Sequence, residues 1–179
     1  MKVVKGALVV FIGLFVFVTL ISLLIPSRIV TTRAETVQAD SIKLYSEIAD
    51  LKNWKHWHPV FMQDSGKMNY STTSTNVNDF VEWSSNNKKN RVLIAEKKFP
   101  YIKVLLQRDG ENDMENVIAL REVQEQGNMQ VQWTAITKLK WYPWEKFASI
   151  TSDKVLGPYM EKSLDNLKNL LENHQDNSN

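Results

Sequence analysis

Residues 158–173 read PYMEKSLDNLKNLLEN. On a 3.6-residue period Met160, Leu164, Leu167 and Leu171 share one stripe, with Leu170 at its edge, while Glu161, Lys162, Asp165, Lys168 and Glu172 face away. Such an amphipathic helix needs a partner surface. Pro158 suits a first helical turn, where its missing N–H costs nothing, and Gly157 lets the chain bend into the helix. Nearly everything between residues 28 and 140 reads as strands that could supply the partner. A curved sheet closing on one long terminal helix is the economical architecture.

Working outward, the clearest strand is 129–139. Met129, Val131, Trp133, Ala135, Thr137 and Leu139 alternate there with Gln130, Gln132, Thr134, Ile136 and Lys138, and Gln126-Gly127-Asn128 supplies a hairpin turn before it. Further strands are expected at 79–84 (Val81, Trp83), 91–97 (Val92, Ile94), 101–108 and 114–124, with polar turns at 86–90 and 109–113. Being neighbours in sequence, they pair as antiparallel hairpins by default. Residues 29–38 also alternate: Val30, Thr32, Ala34 and Thr36 make a small face that would leave room beneath it, opposite Thr31, Arg33, Glu35 and Val37. Asp40 or Ser41 can cap a short helix carrying Ile42, Tyr45, Ile48 and Leu51. In the segment KNWKHWHP, residues 52–59, one helical turn would place Trp54 and Trp57 on the same side, and Pro59 ends that turn. A short helical stretch at 145–156 leads into the terminal helix, and the polar tail 174–179 frays.

The N-terminal end has a different character. Residues 6–25, GALVVFIGLFVFVTLISLLI, contain no charge, and as a helix they would be about 30 Å long, enough to cross a bilayer core. A cleaved signal peptide has a shorter apolar run followed by small residues, which Pro26-Ser27-Arg28-Ile29-Val30 does not offer, so an uncleaved single-pass anchor is expected over 1–27. Lys2 and Lys5 form the short basic tip with which signal anchors begin, favouring an inside N-terminus and an extracytoplasmic body, although Arg28, Arg33 and Lys43 compete on the other side. Setting Lys2 and Lys5 aside leaves 20 basic against 20 acidic residues. A neutral body lacks the clustered cations of a nucleic-acid surface. With no cysteine there is no disulfide frame, thiol nucleophile or Cys-based zinc site.

One strand, two short helices, a run of antiparallel strands and a long closing helix is the order of the helix-grip fold. The chain resembles the START-like superfamily, also called SRPBCC or polyketide cyclase/dehydrase and lipid-transport proteins, and in particular its small membrane-anchored bacterial members. The resemblance rests on the anchor followed at once by a strand, on Leu51-Lys52-Asn53-Trp54-Lys55-His56-Trp57-His58-Pro59, and on the closing LGPYMEKSLDNLK at 156–168, and it covers about 28–172. The body departs from many relatives in being poor in glycine, with Ser71 to Asn78 where they carry a glycine-rich turn. The expected organisation is an anchor (1–27), one START-like α+β domain (28–173) and a polar tail (174–179).

The resemblance implies a cavity between sheet and helix that receives an apolar ligand, with the tryptophan segment near its mouth. The candidate ligand-binding residues are Trp54, Trp57 and His58 at the mouth, Trp83 and Trp133 on the sheet, and Met160, Leu164 and Leu167 on the helix. Each has core packing as its ordinary alternative. Catalytic signatures are weak: there is no G-x-S-x-G elbow or Gly-rich phosphate loop, and pairs such as Asp113 with Glu115 or Glu122 with Glu125 read as solvated charge. His56 and His58 lack a nameable third ligand, so no metal and no cofactor are expected. Trp141-Tyr142-Pro143-Trp144 could instead sit at the headgroup level of a membrane. The sequence thus points to a membrane-anchored, non-catalytic domain for a lipid or other hydrophobic small molecule. A cyclase- or dehydratase-like enzyme would need a buried acid or histidine of perturbed acidity in the cavity. A ligand-free module docking a membrane partner would have a filled core and an exposed apolar patch.

Overall fold

The computed structural model describes residues 2–85, 87–123 and 128–176. An apolar helix α1 (Lys2–Ser22) leads into β1 (Arg28–Gln38), α2 (Ser41–Ala49) and a 3-10 turn, Asn53–His56, with a second, Ser65–Lys67, after the next helix. Then come α3 (Pro59–Asp64), β2 (Asn69–Tyr70), β3 (Phe80–Ser85), β4 (Lys88–Lys98), β5 (Tyr101–Arg108), β6 (Met114–Glu122), β7 (Asn128–Lys138), α4 (Pro143–Ser149) and α5 (Ser152–Asp176). The strands form one antiparallel sheet in the order β1-β7-β6-β5-β4-β3-β2, curved around α5. The fold is the expected α+β helix-grip arrangement preceded by an apolar helix.

Its core follows from the two periodicities. Val81 and Trp83, Val92 and Ile94, Ile102 and Val104, Ile118 and Leu120, and Val131, Trp133 and Ala135 are the buried alternate residues of five successive strands. The α5 stripe of Met160, Leu164, Leu167 and Leu171, each at most 2 % exposed, closes on them. Asp40 caps α2 through hydrogen bonds from the Ile42 and Lys43 amides to its Oδ1, and this directs Leu44 and Ile48 into the same core. The Trp54 indole N–H donates to the Ile48 carbonyl (2.9 Å) and that of Trp57 to the Glu47 carbonyl (3.3 Å), tying the tryptophan turn under α2.

Four details correct the sequence reading. The inward face of β1 is Ile29, Thr31, Arg33, Glu35 and Val37, whereas Val30, Thr32, Ala34 and Thr36 face solvent. The reason lies on α5: Glu35 accepts from Lys168 (2.7 Å), and Arg33 donates to Glu161 (2.6 Å) and Asp153 (3.1 Å), so the inward charges are partnered. Gly157 and Pro158 lie inside α5, not at its start. A Cβ on Gly157 would come within 2.1 Å of the Arg33 guanidinium, so close approach, not a bend, explains the glycine. Pro59 opens α3 instead of ending a turn, a first-turn position where its missing N–H is not needed. The segment 71–78 is preceded by the short edge strand β2, and β4 starts at Lys88 after Asn87, whose positive φ of 60° makes the turn tighter than expected. The expected turn at 126–127 and the residue Glu125 lie outside the described residues.

Candidate functional site

The terminal half of α5 is packed solid, but its first half is not. A cavity of about 780 Å³ separates it from the sheet, within the range of small-molecule sites. Its floor is built by Trp54, His58 and Trp83, its sheet wall includes Trp133 and Ala135, and its helix wall is Leu156 and Tyr159. Gly110, Glu111, Ala148, Thr151 and Val155 also line it and are themselves exposed, so the mouth lies between the β5–β6 turn and the α4–α5 junction.

Of the eight candidate residues, Trp54, His58, Trp83 and Trp133 face the cavity. Trp54, Trp57 and His58 are not at the mouth: they are 2 %, 0 % and 7 % exposed, Trp54 and His58 forming the closed end with Trp57 in the core beside them. The indole hydrogen bonds to α2 account for that displacement. Trp57, Met160, Leu164 and Leu167 are in the packed core and do not line the cavity. Tyr159 and Leu156, one and four residues before Met160, take the place expected for the stripe. Helical spacing contained the signal, since Ser152, Leu156 and Tyr159 recur at the same period on an adjacent face.

The cavity is apolar with a few fixed polar groups. The His58 ring stacks on Trp54 (5.2 Å, 24°) and meets Phe61 edge-on at 4.8 Å. The Tyr159 hydroxyl lies 3.1 Å from both imidazole nitrogens, so it can donate to whichever nitrogen is unprotonated. Burial pushes His58 down to about 3, helped by the Arg108 charge, and pushes the Tyr159 phenol up. Both groups are therefore neutral at physiological pH. On the sheet, the Trp133 indole N–H donates to Asn116 Oδ1 (3.0 Å). Charge is confined to the mouth, where Arg108 faces Glu111 at 3.5 Å and Asn112 Nδ2 donates to Glu145 (3.0 Å).

His56 points the other way, to Glu47 at 3.7 Å. Among the described residues no three acidic or histidine side chains converge as a metal site would require.

No protein-family model and no curated protein matches the chain. Solved structures do. A protein described as a START superfamily member from Mycobacterium smegmatis superposes with a TM-score of 0.55 at 13% identity, covering 80% of this chain and 98% of that one. The fold is START-like. A protein from Nitrosospira multiformis gives 0.60 at 12% identity, covering 80% and 96%, and CalU16 from Micromonospora echinospora gives 0.52 at 13%, covering 80% and 81%. At these identities the START-like likeness concerns architecture, and the chemistry has to be argued from the cavity.

Proposed function

We propose that the protein is a membrane-anchored START-like domain that binds a lipid or another hydrophobic small molecule without transforming it. The observation that carries this reading is the cavity itself: a helix-grip core left open by about 780 Å³ on one side of α5. Apolar walls recruit a chain or ring system, and the neutral His58–Tyr159 pair at the closed end offers one fixed hydrogen-bonding point for an uncharged polar group. The START-like architecture shared with the neighbours is compatible with such a cavity between sheet and helix.

Anchoring is supported by α1. Val3–Ser22 has a mean hydropathy of 2.6, and none of its most apolar window is buried against the domain. The Lys146 ammonium, on a side chain only 3 % exposed, donates to the Ile25 carbonyl (2.7 Å) and to Ser27 Oγ (2.9 Å). That contact ties the segment just after α1 to the domain, so the apolar helix leaves the domain at a fixed point. The basic tip favours an extracytoplasmic body.

An enzymatic reading has one observation on its side, since a histidine of perturbed acidity does lie in the cavity. A base held near 3 and a phenol held above its usual range are poorly matched to proton transfer near neutrality. Recognition explains the pair better than acid–base work does.

Native mass spectrometry of the full-length protein released from lipid nanodiscs tests the proposal. A discrete added mass is expected in the wild type and should disappear in Ala135→Phe, which places a ring in the cavity. An unliganded mass for both proteins, under conditions that retain a known lipid on a control carrier, would sink it.

A further inference from the structure

The α4 helix has three faces: one borders the cavity, one meets the end of α1 and one is exposed. Glu145, Ala148 and Ser149 line the cavity. Lys146 points to the end of α1 and holds Ile25 and Ser27. Trp144, Phe147 and Ile150 point outward, 62 %, 40 % and 65 % exposed, and Trp141 beside them is 61 % exposed. Tyr142 stacks on Trp144 (4.8 Å, 6°) and is tilted against Trp141 (5.0 Å, 48°), so the three rings form one contiguous aromatic cluster. Leu23 and Leu24, 60 % and 84 % exposed, continue this apolar surface towards α1.

A second observation concerns charge. Arg28 and Lys138 are directly opposite each other where β1 and β7 begin and end, and Lys140 follows; all three are exposed. Like charges facing across a strand pair are unfavourable unless something anionic answers them. They sit at the same end of the sheet as α4 and the exit from α1.

We infer that α4 is an interfacial helix: its Trp144–Phe147–Ile150 face lies in the headgroup layer of an anionic leaflet and seats the cavity mouth on the bilayer. Large aromatic rings favour that layer, and Arg28, Lys138 and Lys140 would meet lipid phosphates there. Lys146 fixes the attitude of the domain, because it locks α4 to the carbonyl at which the chain leaves α1. The ligand then passes between leaflet and cavity beside Ala148 and Val155 without crossing water. This inference rests on the anchored, ligand-binding reading and adds the surface and the route.

The absence of cysteine makes the test direct. Full-length Phe147→Cys and, at the opposite end of the domain, Thr72→Cys are labelled with a nitroxide and reconstituted in vesicles of phosphatidylcholine with phosphatidylglycerol. The 147 label should be several-fold more accessible to oxygen than to a water-soluble nickel relaxant, and the 72 label the reverse. Adding Lys146→Met should bring the 147 ratio at least threefold closer to that of 72. Vesicle flotation reports anchoring separately, and the Ala135→Phe background reports ligand occupancy separately. If the protein floats but the 147 label is as water-exposed as 72, the inference is overturned; a 147 label shielded from both relaxants also overturns it, in favour of a protein partner.

Discussion

The two halves of α5 meet the same sheet in opposite ways. From Met160 onward, Leu164, Leu167 and Leu171 interdigitate with Val37, Leu44, Ile48 and the inner strand residues and leave no room. Before Met160, Leu156 and Tyr159 border the cavity opposite Ala135, and Tyr159 touches the sheet only at the closed end, where it meets the Trp133 ring edge-on (6.5 Å). One half gathers the apolar burial that makes the helix stay; the other is held in place by its neighbour and by polar clamps at Arg33. Core packing and the cavity wall are thus assigned to different turns of one helix, so the proposed ligand is not needed for the domain to fold.

The sharpest way to break that contrast is truncation. Leu167→Ala should cost about 2–5 kcal/mol in denaturant unfolding, the usual range for a buried leucine, whereas Leu156→Ala, already beside a void, should cost only about 1 kcal/mol. Equal losses would mean that the first half is packed as tightly as the second. Enlargement makes the converse test. Val131→Phe in the solid half should lose about 1–3 kcal/mol from overpacking, while Ala135→Phe should unfold at nearly the wild-type midpoint.

Acidity probes the closed end. His58 is held at about 3, against an ordinary value of 6.5, so the unfolded chain binds a proton between those values that the folded protein refuses. Its contribution to stability is constant above about pH 6.5 and is lost as the pH falls towards 3. Compared with His58→Phe, the wild type should lose about 2 kcal/mol more between about pH 6 and pH 4, read from urea midpoints at each pH. Parallel curves would mean that water reaches the imidazole. A smaller effect than that of His58 is expected for Tyr159→Phe, which removes one hydrogen bond and should cost about 1 kcal/mol and weaken the binding of hydroxyl-bearing ligands more than that of hydrocarbons.

Much of the architecture was legible because period and burial coincide. The strand at Tyr101–Arg108 and the buried stripe of α5 needed no tertiary information. What escaped was decided by partners. Both faces of β1 alternate equally well, and only Glu161, Asp153 and Lys168 on α5 make Arg33 and Glu35 the inward pair. Gly157 looked like a hinge because its real reason, the Arg33 guanidinium, is remote in sequence. The cavity was harder still: an empty volume leaves no residue pattern of its own, so the apolar stripe naturally drew the eye to the turns that pack best. Tyr159 stood in the quoted stretch, but its hydroxyl acquires meaning only when His58 is folded against it.

The pairing of β1 with β7 carries a consequence for how the chain is made. Arg28 pairs with Lys138 and Gln38 with Asn128, so the first strand of this domain has no strand partner until β7, the last strand, has been synthesised. Such long-range closure is slow and leaves an edge open to wrong pairing. If the apolar helix anchors the chain as proposed, the waiting strand diffuses in two dimensions along a membrane, where encounters with other nascent copies depend on their areal density and not on the crowding of the bulk.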